Sequence, residues 1–271
     1  MKNTLVSLFI FFASVSFGQY GQVSPLDHDT CLDRQFSVVF YVVLDSTYSP
    51  LPANTASLAL LIQTMNACFK PICVSFQNCS TVFIPNYPYN KWKKDITEPV
   101  ITTNWYTDKT LNIYLVDTVK QEAINTEGLY AYTYTYPPAS PIVPKKDLIV
   151  MSKGIFNTPD FGLFFHQLGH FFGLVHTYDE IGSPTPPVTF PAPNGIISQE
   201  YADGTNCAIH GDCICDTEAD PQSTSQILDG KGDHYILPID NYMSYLGLCR
   251  YTQQQYNLMA YTILTKRLYL H

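Results

Sequence analysis

The chain has 271 residues, 46% hydrophobic and only 14% charged, with 20 tyrosines. That is an ordered globular composition, long enough for one large domain or two lobes about a cleft, and it excludes a disordered chain or a small disulfide-stapled scaffold. A net charge of −8 argues against nucleic acid or an anionic membrane, both of which require a basic face, so neither is expected as a partner.

The first eighteen residues, MKNTLVSLFIFFASVSFG, carry one lysine, then an apolar run, then small residues at Ser16 and Gly18. They read as a cleavable secretory signal over 1–18, followed by a short N-terminal segment, 19–35, with the mature chain beginning near Gln19. Export places the protein outside the cytoplasm, extracellular or periplasmic, where its eight cysteines are expected to form disulfides. Cys31, Cys68, Cys73 and Cys79 lie in the first half, and Cys207, Cys213, Cys215 and Cys249 in the last third. Pairing within each group is the expected pattern.

Residues 36–45, FSVVFYVVLD, predict a central strand from their β-branched and aromatic content. Asn54 or Thr55 caps a helix through ASLALLIQTMNACF. ICVSFQ at 72–77 and LNIYLVD at 111–117 predict two more strands. In LYAYTYTYPP, Tyr130, Tyr132, Tyr134 and Tyr136 alternate with smaller residues, the period of a strand with one distinct face, and the prolines after it place it at an edge. DLIVMSK at 147–153 predicts a fifth strand. The next helix starts from Thr158 as N-cap, Pro159 at the first helical position and Asp160 at the positive dipole end, and runs to about Phe172. Residues 182–235 are dense in Gly, Pro, Ser, Asp and Cys, which predicts a loop-rich lobe held by disulfides. A final helix begins at Thr252, with Tyr256, Met259, Ala260, Ile263 and Leu264 as its apolar side.

Within HQLGHFFGLVH, residues 166–176, His166 and His170 stand one helical turn apart and face the same way. Gly173 ends the helix in a left-handed conformation, and the turned chain brings back His176. Three neutral imidazoles with a fourth position open to water describe a catalytic type of zinc site. With seven histidines in the chain, two more at these offsets plus the glycine arise by composition with odds of roughly one in a few thousand.

HQLGHFFGLVH followed by Thr177 resembles the metzincin zinc motif H-E-x-x-H-x-x-G-x-x-H. More narrowly the chain is similar to the pappalysin family, the peptidases related to pregnancy-associated plasma protein A. CAIHGDCICDT at 207–217 resembles that family's Cys and Gly-Asp loop, NYMSY at 241–245 its Met-turn, and LCRYTQQQ the segment after it. WYTDKTLNIYLV and GLYAYTYTYPP match its upstream strands in character. The resemblance spans 36–271. It implies an α/β (α+β) fold, a metzincin-like two-lobed zincin domain: a twisted mixed sheet plus two helices above, a loop-rich disulfide-bonded lobe below. It also implies a monomer that takes an extended peptide or protein substrate along the Tyr-rich antiparallel edge strand.

By the same resemblance Met243 forms the floor beneath the metal, and the Tyr245 hydroxyl stabilises the oxyanion. Asp212 and Thr217 occupy positions that bind calcium in some relatives, although Glu218 stands where the family has proline. Cys215 pairs with Cys249, and Cys207 with Cys213. The family usually carries a pro-segment, whereas only about seventeen residues are expected between the signal cut and the first strand; Cys31 is expected as a disulfide partner, as export favours, the alternative being a thiolate that caps the metal.

The main departure is Gln167, at the position of the family's general-base glutamate. A carboxamide hydrogen-bonds but has no usable basicity at neutral pH, so metal binding is expected to survive and turnover to be impaired. The alternative is an active secreted zinc metalloendopeptidase with another base or residual activity. Asp179 and Glu180 closely follow the third histidine, and from there they are expected to point along the lower lobe. A further rival is a structural protein that keeps zinc for stability.

Overall fold

The computed structural model describes residues 31–121, 126–128, 131–134, 146–157, 161–178, 200–221, 228–244 and 249–270. The signal segment, Tyr130, Tyr136, the Thr158–Pro159–Asp160 cap, Asp179, Glu180 and Tyr245 lie outside them.

The upper lobe is built on a five-stranded sheet in the order β2-β1-β4-β8-β7. Its strands are β1 (Arg34–Val43), β2 (Val74–Ile84), β4 (Leu111–Val116), β7 (Ala131–Thr133) and β8 (Leu148–Ser152). β1 pairs in parallel with β2 and β4, β4 pairs in parallel with β8, and β7 runs antiparallel to β8 at the end of the sheet, as expected for the Tyr-rich segment. The near-continuous apolar runs of β1, β4 and β8 follow from burial on both faces. Val38, Phe40 and Val42 enter one core, and Val39, Tyr41 and Val43 the other.

The first core is covered by α1 (Thr55–Cys68), α3 (Gly162–Phe171) and α4 (Gln253–Thr265). Asn54 caps α1 by accepting a hydrogen bond from the Ser57 N–H, one of the two caps expected there. Thr252 caps α4 in a reciprocal capping box with Gln255. Tyr256, Met259, Ala260 and Ile263 are buried on α4 as expected, whereas Leu264 is exposed. An aromatic cluster of Phe36, Phe69, Phe76 and Phe172 joins β1, β2, the end of α1 and the end of α3, with ring centroids 5.2–6.4 Å apart. Each such buried ring contributes about 1.5–3 kcal/mol relative to exposure.

The second core is covered by α2 (Lys94–Asn104) and a three-stranded sheet in the order β3-β5-β6. Its strands are β3 (Lys91–Lys93), β5 (Thr118–Gln121) and β6 (Thr126–Gly128). The sequence reading contains neither. Pro99 lies inside α2 and the strands are three or four residues long, too short to carry a period.

α3 begins at Gly162, later than expected from Thr158, with Phe161 in the left-handed region at φ 49° as its N-cap. Below it, the described part of residues 200–244 consists of turns and isolated bridges, the loop-rich lower lobe. Among the described residues, no helix is long and apolar enough to cross a membrane.

The disulfides are Cys31–Cys73 and Cys207–Cys215, each within its own part of the chain. The first ties the start of β1 to the start of β2 and removes the thiol that a Cys31 metal cap requires. The second corrects the expected Cys215–Cys249 and Cys207–Cys213 pairs. Reverse turns at Gly204–Cys207 and His210–Cys213, with Gly211 and Cys213 both left-handed, fold the loop back so that the Cα atoms of Cys207 and Cys215 stand 5.1 Å apart. That separation suits a bridge. Cys249 is an exposed free thiol.

Candidate metal centre

α3 is held by its apolar residues on almost every side: Phe164, Phe165, Leu168 and Phe171 are fully buried. His166 and His170, four apart, are left facing the lower lobe. The helix ends in a Schellman turn: Gly173 N–H donates to the His170 carbonyl and Leu174 N–H to the Gly169 carbonyl, both at 2.9 Å. Gly173 sits at φ 94°, and a Cβ there would lie 2.6 Å from Thr262 Oγ1 on α4. Both the conformation and the space therefore require glycine.

Beyond this turn His176 returns. The ligand atoms of His166, His170 and His176 all lie within 4.8 Å of one another, and His170 Nε2 is 3.1 Å from both His166 Nε2 and His176 Nε2. Nitrogens bound tetrahedrally at zinc distances stand about 3.3 Å apart, so the triad is spaced for such an ion. His166 Nδ1 lies 2.6 Å from the Tyr242 carbonyl and His170 Nδ1 2.9 Å from the Leu174 carbonyl. A carbonyl only accepts, so each Nδ1 carries the proton and each Nε2 lone pair faces the common point. The Tyr178 ring stacks on the His176 ring at 4.5 Å and 8°, which orients the third imidazole. The donor set therefore fits a zinc ion.

Gln167 is buried beside the two helix histidines. Met243, fully buried, packs against the helix at Gly169, where an added Cβ would come 2.4 Å from its Sδ. The Met243 carbonyl accepts the Thr177 N–H at 3.2 Å, linking the floor to the residue after the third histidine. Buried Asp220 accepts from Thr177 Oγ1 at 2.7 Å and Ser244 Oγ at 2.8 Å. Asn241 exchanges amide hydrogen bonds with Gln255 in the α4 cap. Tyr251 donates its hydroxyl to the Phe165 carbonyl, and burial holds its pKa well above the usual range, so it remains a donor.

Asp212 is buried and accepts from Ile214 N–H and from Thr217 Oγ1. Thr217 Oγ1 also lies 2.6 Å from the Ile214 carbonyl. Among the described residues, the triad is the one group of three or more His, Cys, Asp or Glu whose ligand atoms come this close. Glu218, at the departure from the family pattern, is paired with Arg250 at 3.4 Å on the surface. Sequence reasoning missed Tyr178 and Asp220. An aromatic residue two past the third histidine was a readable signal for the first; a lone aspartate in a loop gave none for the second.

Taken together, these elements form a mixed α/β fold, a twisted sheet with helices above a loop-rich lobe, that carries a three-histidine candidate metal site. Among solved structures, mature mirolysin of Tannerella forsythia in complex with a cleaved peptide is similar over 87% of this chain and 94% of its own, with a TM-score of 0.55 and 15% identity. Mirolysin in complex with compound 9 is similar over the same shares, with a TM-score of 0.55 and 14% identity. An archaemetzincin of Methanopyrus kandleri is similar over 52% of this chain and 76% of its own, with a TM-score of 0.36 and 12% identity. No family model and no curated protein sequence matches the chain.

Proposed function

We propose that this is an exported, pappalysin-like zinc metallopeptidase domain that binds extended peptide but cleaves it poorly, because Gln167 stands at the general-base position. The observation that carries the reading is the convergence of three Nε2 atoms, 3.1 Å from the central one, with Gln167 on the same helical turn. The packing of Met243 under Gly169 supports the Met-turn assignment. The complex of mirolysin with a cleaved peptide supports a peptide as the ligand.

His166, His170 and His176 would hold the zinc. When bound, the ion supplies Lewis acidity and lowers the pKa of water. Gln167 offers a hydrogen-bond donor and acceptor, but it cannot take a proton from an attacking water or return one to a leaving amine. The antiparallel edge strand β7 supplies main-chain groups to an extended peptide. Tyr245 would assist as the oxyanion donor. Calcium at Asp212 and Thr217 is not carried further, since the Thr217 hydroxyl is engaged within its own turn.

The test is a measurement of zinc content and of cleavage of a peptide library by the protein as it stands and by Gln167→Glu. One zinc per chain in both, with cleavage emerging only in the variant, is the expected result. Equal cleavage by both would establish a working endopeptidase, and zinc-free protein would remove the metal centre.

A further inference from the structure

β7 pairs with β8 through only three residues, is terminal in its sheet and lies beside α3. The side chains of Tyr132, in β7, and of Tyr134, one residue past its end, pack against the second core, toward α2. There both hydroxyls donate to the carboxylate of Glu98, a side chain 2% exposed, Tyr132 at 2.7 Å and Tyr134 at 2.9 Å. The Trp92 indole N–H donates to Tyr132 in turn, at 2.6 Å. Burial, with Glu98 alongside, pushes both tyrosine pKa values up, so the hydroxyls stay protonated as donors.

The main chain of the same residue is held from the other side. Arg267 is wholly buried; it donates to the Tyr134 carbonyl at 3.3 Å and to the Phe171 carbonyl, one residue past His170, at 2.7 Å. Its guanidinium lies over the Phe171 ring and pairs with Asp147. Lys146 and Asp147 are consecutive. Alternation along the extended chain sends Lys146 to Glu98 on the α2 side and Asp147 to Arg267 on the α3 side. Tyr134 is therefore tied by its hydroxyl to a buried anion and by its carbonyl to a buried cation that also grips the metal helix.

We propose that Glu98, Tyr134 and Arg267 are positioning residues that set β7 at a fixed distance from α3, so that a peptide added to β7 lies at the reach of the metal. The inference rests on the reading that peptide adds to this strand. A strand with one short pairing frays readily, and two charge-assisted anchors at its end suppress that opening without occupying its outer edge.

The experiment uses the zinc-loaded full chain, hydrogen–deuterium exchange, and a pool of fluorescein-labelled ten-residue peptides read by anisotropy. Tyr134→Phe and Glu98→Leu should each speed exchange over residues 131–134 and weaken peptide binding by about tenfold, the size of one lost charge-assisted bond. Zinc content and the exchange of α3 should not change, and Glu98→Gln, which keeps an acceptor, should restore binding to within about twofold of the parent. Unchanged exchange over 131–134 in Tyr134→Phe overturns the proposal. So does acceleration spread evenly over the chain, which marks a merely structural role. Should Glu98→Leu fail to fold, Tyr134→Phe decides alone. If the parent binds no peptide, the functional reading falls, while exchange still judges the anchor.

Discussion

Above the histidines, α3 is seated by Phe164, Phe165, Leu168 and Phe171 against a sheet whose interior strands are apolar on both faces. Below them, the segment Asn241–Ser244 is seated by hydrogen bonds: Asn241 with Gln255, Ser244 and Thr177 with Asp220, and the Met243 carbonyl with Thr177. The upper region draws on burial, which is non-directional and large; the lower draws on directional bonds, which are individually small but define positions closely. The metal centre needs both. Two ligands come from the packed region, and the second histidine's orientation comes from the Schellman turn. The first histidine's orientation comes from the Tyr242 carbonyl of the bonded region.

On the proposed function, side chain 167 is what the two regions lack, and restoring a carboxylate there should have the largest effect. Gln167→Glu should raise peptide cleavage by about 10²–10⁴-fold, read as kcat/KM on one library substrate, with zinc content unchanged. A gain under twofold would mean that the cleft geometry, not the absent base, limits turnover. In the packed region, Phe36→Ala removes a ring that meets Phe76 and Phe172 at 5.9 and 5.7 Å. It should cost about 3–5 kcal/mol in denaturant unfolding while leaving zinc affinity within about twofold.

In the bonded region the balance should reverse. Asp220→Ala leaves the Thr177 and Ser244 hydroxyls without this acceptor; it should cost about 2–3 kcal/mol of stability, yet weaken zinc binding about 10–100-fold in chelator competition. Equal effects of Phe36→Ala and Asp220→Ala on zinc affinity would erase the distinction between the regions. Gly173→Ala forces a side chain into the left-handed region and against Thr262, at a cost of about 1–2 kcal/mol, seen as a melting shift of a few degrees.

The same contrast explains what could be read from the chain. β1, β4, β8, α1 and α4 declare themselves through apolar runs and caps, because burial acts on residue type and period. The histidine spacing and Gly173 were legible because helix geometry fixes which side chains meet. α2 was not: Pro99 and three threonines conceal a helix whose Thr102 and Thr103 hydroxyls bond back to carbonyls four residues earlier. The Cys207–Cys215 pair was hidden for another reason. It depends on two turns and two left-handed residues, and a spacing of eight in sequence says nothing of how the loop folds back. Glu98 and Arg267, ordinary charges in sequence, acquire meaning only when distant elements meet.

Gly169 carries no ligand and holds no proton, yet it sets how deeply the histidine-bearing helix beds onto the sulfur of Met243. A single methyl group there would come 2.4 Å from that sulfur, and ordinary contact needs about 1 Å more. Whichever side yields, the pair of imidazoles on the helix and the imidazole after the turn move out of step, because the third one's neighbour, Thr177, is fastened to Met243 itself. The smallest residue in the motif thus acts as a depth gauge, and a change of one carbon could disable the centre while every ligand stays in the sequence.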